Sequence, residues 1–301
     1  MNRLAVAASV VTLLSPVVLG GCSAFTDDSV GLDNGLQVAA AFYPLQYVAG
    51  RVAGDHADVE NLTAPGGEPH DLELTVAETA RVAQADLVVY QRGFQPSVDG
   101  AVDENAAGDV LDVAKVVDLV PFRDHGVDSD ELDPHFWQDP LLLADVGDAV
   151  ADQLSKVDPD NADDYEANAA ALRADLEKVD QEYADGLTGC ERDTIVVSHD
   201  AFGYLQRYGV TMEAILGLSP DSEPTPADLA RLQDLIRTAG ITTVFSETLA
   251  SPKTAETLAD DMGVKSEVLD PIEGLSDRTE DQDYLSLMRS NLSALEEANG
   301  C

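Results

Sequence analysis

Short apolar runs alternate with amphipathic stretches along most of this chain, and each change of period marks an expected element boundary. Residues 37–42 (QVAAAF) read as a strand, and 43–53 suit a helix carrying Leu45, Val48 and Val52 on one face. A second strand is expected over 59–63, ahead of the turn APGGEPH. A helix over 75–83, a strand over 87–90 and a mixed helix-to-strand segment over 110–119 follow. This order predicts a βα-repeating first lobe with a largely parallel sheet.

Asp139-Pro140 then opens a helix to about residue 156, with Asp as cap and Pro at the first helical position. Residues 159–187 follow as a run of Ala, Leu and charged side chains, which as one helix would span about 43 Å. A helix of that length is expected to be a rigid spine between lobes. Beyond it the alternation resumes. The strand TIVVS (194–198) leads into His199, a helix is expected over 201–208, and Thr225-Pro226 caps a helix that Gly240 stops. The strand 241–245 leads into Ser246-Glu247, Ser251-Pro252 caps a helix ended by Gly263, and 265–269 leads into Asp270. His199, Glu247 and Asp270 are thereby placed at carboxyl ends of strands, where open α/β sheets bind ligands. The expected fold is α/β, with lobes over 37–157 and 189–301, each a mainly parallel sheet flanked by helices, joined by a long rigid helix over 158–188.

Composition changes that picture at the amino end. With 301 residues, 45% of them hydrophobic, the chain can bury two ordinary cores. The first 21 residues fall outside that count: a basic start at Arg3, an apolar run over 4–19 and Leu-Gly-Gly before Cys22 read as a signal peptide too short to span a bilayer. Cys22 stands where a bacterial lipobox carries its lipidated cysteine; an ordinary secretory signal with an incidental cysteine is the alternative. Residues 22–36, rich in Ser, Asp and Gly, have the composition of a flexible tether. Seventeen Lys and Arg against 57 Asp and Glu give a net charge of −40, which excludes nucleic acid as a partner because no basic patch is available to neutralise phosphates. The acids are spread through the helices, as on a solvated surface or in a salty habitat, although they also attract cations. Outside the cytoplasmic membrane Cys190 and Cys301 are expected to pair; two free thiols are the alternative, and no CxxC spacing gives them a metal or redox role.

The candidate chemistry lies in four residues at near-equal intervals: His70 in GGEPHDLELT, His135 in DPHFWQDP, His199 in VVSHDAFGYL and Asp270 in EVLDPIEGL. Neutral imidazoles with one carboxylate suit zinc or a related transition metal in a closed tetrahedral shell. A lone histidine at a strand end is more often structural; three of five in that position reverse the judgement. His56 and His125 read as surface residues, Glu247 as a carboxylate orienting a ligating imidazole, and Trp137 as packing between lobes.

The motifs PHDLELT, DPHFWQDP, VVSHDAFGYL, FSETLASPK and VLDP, in this order from about residue 37 to 301, resemble the ZnuA/TroA-like receptors of ABC importers for zinc and manganese. That resemblance implies a monomeric two-lobed receptor at the outer face of the cytoplasmic membrane, lipid-anchored at Cys22, delivering metal to an ABC permease. It maps one ligand onto each of His70, His135, His199 and Asp270. Many zinc members carry a long His-rich loop, whereas residues 122–133 here are short with one histidine. In some manganese members the third ligand is Glu, so His199 favours zinc and leaves manganese open. A zinc hydrolase is disfavoured because four protein ligands leave no position for water and HExxH and GxSxG are absent, so no enzyme activity is expected. A surface adhesin remains the other alternative.

Overall fold

The computed structural model describes residues 35–124 and 127–301, with side chains described outside 123–130. The signal peptide, Cys22, nearly all of the tether and His125 lie outside the described residues. Two four-stranded parallel sheets organise the rest. The first is built from β1 (Leu36–Ala40), β2 (Ala57–Asn61), β3 (Leu87–Tyr90) and β4 (Asp109–Asp112) in the order β2-β1-β3-β4. The second comprises β7 (Thr194–Val197), β8 (Thr211–Ala214), β9 (Thr243–Ser246) and β10 (Lys265–Val268) in the order β10-β9-β7-β8. Central strands such as LVVY of β3 and TVFS of β9 are buried throughout, as expected where helices cover both faces of a parallel sheet.

Helices α1 (Tyr43–Ala53), α2 (Val76–Gln84) and α3 (Pro96–Asn105) connect the first sheet. Thr75 and Glu78 form a reciprocal capping box at α2. In the second lobe α6 (Pro226–Ala239) begins on a Thr225–Asp228 box, and α7 (Lys253–Met262) ends on Gly263 in the left-handed region. Ser251 does not cap α7, whose N-cap position is Pro252 with no side-chain cap bond.

The spine is α5 (Ala162–Gly186), 25 residues and about 37 Å long, slightly shorter than expected because a 3-10 turn over Pro159–Asn161 separates it from α4 (Pro140–Val157). Its buried positions Tyr165, Ala169, Leu172, Leu176, Val179 and Tyr183 recur at intervals of three and four, giving one apolar stripe. Its amino-terminal half holds the first lobe through Asn168 Nδ2 to the Val52 carbonyl (3.0 Å) and Asp175 to Arg51 (2.7 Å). Its carboxyl-terminal half holds the second, with the Tyr183 hydroxyl donating to the Met288 carbonyl (2.7 Å) on α8 (Tyr284–Asn299). Among the described residues no helix is long and apolar enough to cross a membrane.

Several local expectations are corrected. Residues 121–132 form an antiparallel hairpin of β5 (Pro121–Asp124) and β6 (Val127–Leu132). The expected helix over 201–208 is a 3-10 helix, Gly203–Tyr208, ended by Gly209 at φ 83° and followed by the edge strand β8. The expected pairing of Cys190 with Cys301, in contrast, is present as a disulfide, joining the approach to β7 to the end of α8.

Candidate metal centre

The candidate side chains are delivered by the loops and turns that link the elements. His70 lies in the loop between β2 and α2. That loop is fixed from below by buried Gln95, whose Nε2 donates to the Pro69 carbonyl and the Thr63 hydroxyl (both 3.1 Å). His135 follows β6 and opens a 3-10 turn, Phe136–Gln138, leading into α4. Asp133 Oδ1 sets its ring by accepting from the His135 backbone N–H (2.9 Å) and pairing with Nδ1 (2.8 Å). His199 follows β7, and the neighbouring strand β9 delivers Glu247. Glu247 Oε1 accepts the His199 backbone N–H (2.9 Å) and lies 2.8 Å from its Nδ1. These carboxylates leave the Nε2 atoms of both rings facing the cleft, as ligating histidines require.

The three Nε2 atoms converge on one oxygen. Glu273 Oε1 lies 3.3 Å from His70, 3.3 Å from His135 and 3.2 Å from His199, and the Nε2 atoms of His70 and His135 are 3.3 Å apart. Donor atoms from all four residues lie within 4.8 Å of one another. His135, His199 and Glu273 are buried, and His70 sits at the mouth with its ring edge-on to Phe94.

Asp270, the carboxylate anticipated for this role, is outside the cluster. Its Oδ1 accepts the Ile272 N–H (2.8 Å) and its Oδ2 accepts the Thr248 hydroxyl (2.8 Å). The chain then turns at Ile272, whose φ of 61° puts a β-branched residue in the left-handed region at a cost of about 1–2 kcal/mol. That turn brings Glu273 to the imidazoles. The only sequence signal for Glu273 was a second carboxylate three residues beyond Asp270 in LDPIEG. His56 stands apart, paired with Asp164 at 2.9 Å. Trp137 lies at the lobe boundary, donating Nε1 to the Pro271 carbonyl at 2.8 Å.

Electrostatics favour the charged forms of His135, His199 and Glu273. Burial alone would lower His135 and His199, but Asp133 and Glu273 outweigh it at the first ring, and Glu247 and Glu273 at the second, so both are raised. Burial would raise Glu273; the three imidazoles overcome it and hold the carboxyl well below its usual range. Asp200, beside His199, is pushed up to about 7 by burial and by Asp133. Both Asp133 and Asp200 also line a neighbouring cavity of about 980 Å³ under β8 and the β5 hairpin.

Two parallel-sheet lobes on a helical spine, with strand ends and loops from both meeting at one cluster of possible metal donors, define a two-lobed α/β protein. The chain belongs to the family described as zinc-uptake complex component A, periplasmic, whose model matches residues 38–298. It is 35% identical over 280 residues to the zinc-binding lipoprotein AdcA of Streptococcus pneumoniae, covering 88% of this chain and 56% of that protein. The chain thus spans about half the length of the first curated relatives it matches. The high-affinity zinc uptake system protein ZnuA of Bacillus subtilis is 34% identical over 87% of both chains. Among solved structures, the Zn(II)-bound ZnuA-like domain of S. pneumoniae AdcA superimposes with a TM-score of 0.77 at 33% identity, covering 89% of this chain and all of that one.

Proposed function

We propose that this protein is an extracytoplasmic receptor that captures zinc between its lobes and delivers it to an ABC-type permease, acting as a monomer and not as an enzyme. The ligands in this reading are His70, His135, His199 and, in place of Asp270, Glu273. The observation that carries it is the spacing of the donors. Four groups bound to zinc at about 2.0 Å in a tetrahedron stand about 3.3 Å apart, and four of the six donor separations here are 3.2 to 3.3 Å. Three imidazoles to one carboxylate favour zinc over manganese, which suits oxygen-rich, six-coordinate sites. Zinc is here cargo: a closed shell without a water position suits carriage, whereas a hydrolase leaves one position open. Anchoring through Cys22 and residence at the outer face of the cytoplasmic membrane complete the reading, in line with the lipoprotein and uptake names of its relatives.

The test is a competition titration of zinc against His70→Ala, His135→Ala, His199→Ala and Glu273→Ala, with His56→Ala as control. Each of the first four is expected to lose affinity by a hundredfold or more, roughly the upper end of what site mutations cost, and the control to match the parent. A Glu273→Ala protein that bound zinc like the parent would overturn the four-donor assignment.

A further inference from the structure

We propose that Asp270 is a positioning residue for the metal centre, whose carboxylate holds the left-handed turn at Ile272 that presents Glu273 to the three imidazoles. The inference rests on the four-donor reading above and adds a residue that touches none of the imidazoles.

Leaving β10, the chain is clamped on both sides of Asp270. Asn291 of α8 accepts the Asp270 N–H at Oδ1 (2.9 Å) and donates Nδ2 to its carbonyl (2.6 Å). The next carbonyl, Pro271, accepts from Trp137 Nε1 (2.8 Å) and Gln138 Nε2 (2.6 Å) on the first lobe. The strap is thus held by both lobes. Ile272 follows, fully buried and, among the described residues, the one non-glycine residue with positive φ. Such a conformation persists only where its surroundings over-determine it. At this point the determinant is the Asp270 carboxylate, which closes a local ring onto the Ile272 N–H and is itself steadied by the Thr248 hydroxyl. Both Asp270 oxygens are therefore engaged, and the donor group closest to them in sequence, Glu273, is the one that reaches the site. Without the carboxylate, Ile272 relaxes toward negative φ and its neighbour Glu273 leaves the cluster.

A double-mutant cycle on the full chain, read as zinc affinity by competition titration, separates this role from direct ligation. Asp270→Ala is expected to lose about tenfold or more in affinity, the range for groups that orient ligands. In a Glu273→Ala background the same change is expected to cost less than threefold, because the carboxylate it positions is gone. Asp270→Asn keeps an acceptor for Ile272 and is expected to stay within threefold of the parent. A further tenfold loss in the Glu273→Ala background, or an Asp270→Asn protein as weak as Asp270→Ala, would make Asp270 a ligand and overturn the inference; so would an Asp270→Ala protein that bound like the parent. Should Asp270→Ala not fold, Asp270→Asn decides alone, with threefold supporting and tenfold overturning. Parent-like binding by Glu273→Ala alone marks failure of the four-donor reading itself.

Discussion

Protons and metal compete for the same nitrogen atoms, so the site's chemistry is pH-linked at single residues. His135 and His199 are raised above their ordinary value of 6.5, so their contribution to metal-free stability is complete below about 6.5 and is lost as pH rises through the raised values. Glu273 is depressed below its ordinary 4.5, so its contribution is present above about 4.5 and is lost as pH falls through the lowered value. The cluster therefore steadies the metal-free protein most between those two limits. Metal affinity runs the other way, because the imidazoles must shed protons to bind. We expect zinc binding at pH 7 to release protons, and affinity still to climb between about pH 6.5 and 7.5, above the titration of a free imidazole. Calorimetry in two buffers of different ionisation enthalpy counts the protons, and a count of zero at pH 7 would show that the rings are already neutral. The histidines were legible because each lies in a recognisable string between elements. Glu273 was not: its position depends on the turn at Ile272, and a reversal of φ at a β-branched residue leaves no periodic trace in sequence.

At the level of elements, legibility followed amphipathic period. The α5 stripe repeats over six buried side chains, and the spine was predicted with its first residue misplaced by three and its last by one. Helix α3 was missed because PSVDGAVDEN offers only Val98, Ala101 and Val102 to a core and carries a glycine inside. Strand β8 was missed because it is a four-residue edge with no fully buried position, and the β5–β6 hairpin because its second strand reads VDSDEL, an acidic loop by composition. Pairing of the cysteines, in contrast, followed from compartment. The bond closes a separation of 111 residues, which in the chain-entropy picture stabilises the fold by about 4–5 kcal/mol. Replacing both cysteines with serine is expected to lower unfolding free energy by roughly that amount in a urea titration while leaving zinc affinity within about threefold, since neither cysteine borders a donor. A loss under about 1 kcal/mol would mean that strain or residual structure in the unfolded chain cancels the entropy term.

For the whole molecule, a net charge of −40 and the lack, among the described residues, of any helix long and apolar enough to cross a membrane leave the proposed membrane attachment to the amino end of the chain. In the proposed reading the attachment is covalent lipid at Cys22: each buried methylene contributes about 0.8 kcal/mol, and two acyl chains make the attachment stable where one is marginal. In sequence, residues 23–35 separate Cys22 from β1 (Leu36–Ala40). Cys22→Ser is therefore expected to move the protein from the membrane fraction to the soluble exported fraction, with zinc affinity unchanged because no donor is near residue 22 in sequence. Fractionation of cells expressing parent and variant, followed by zinc titration of both, checks the two halves of that expectation; a Cys22→Ser protein that stayed with the membrane would overturn the anchoring reading.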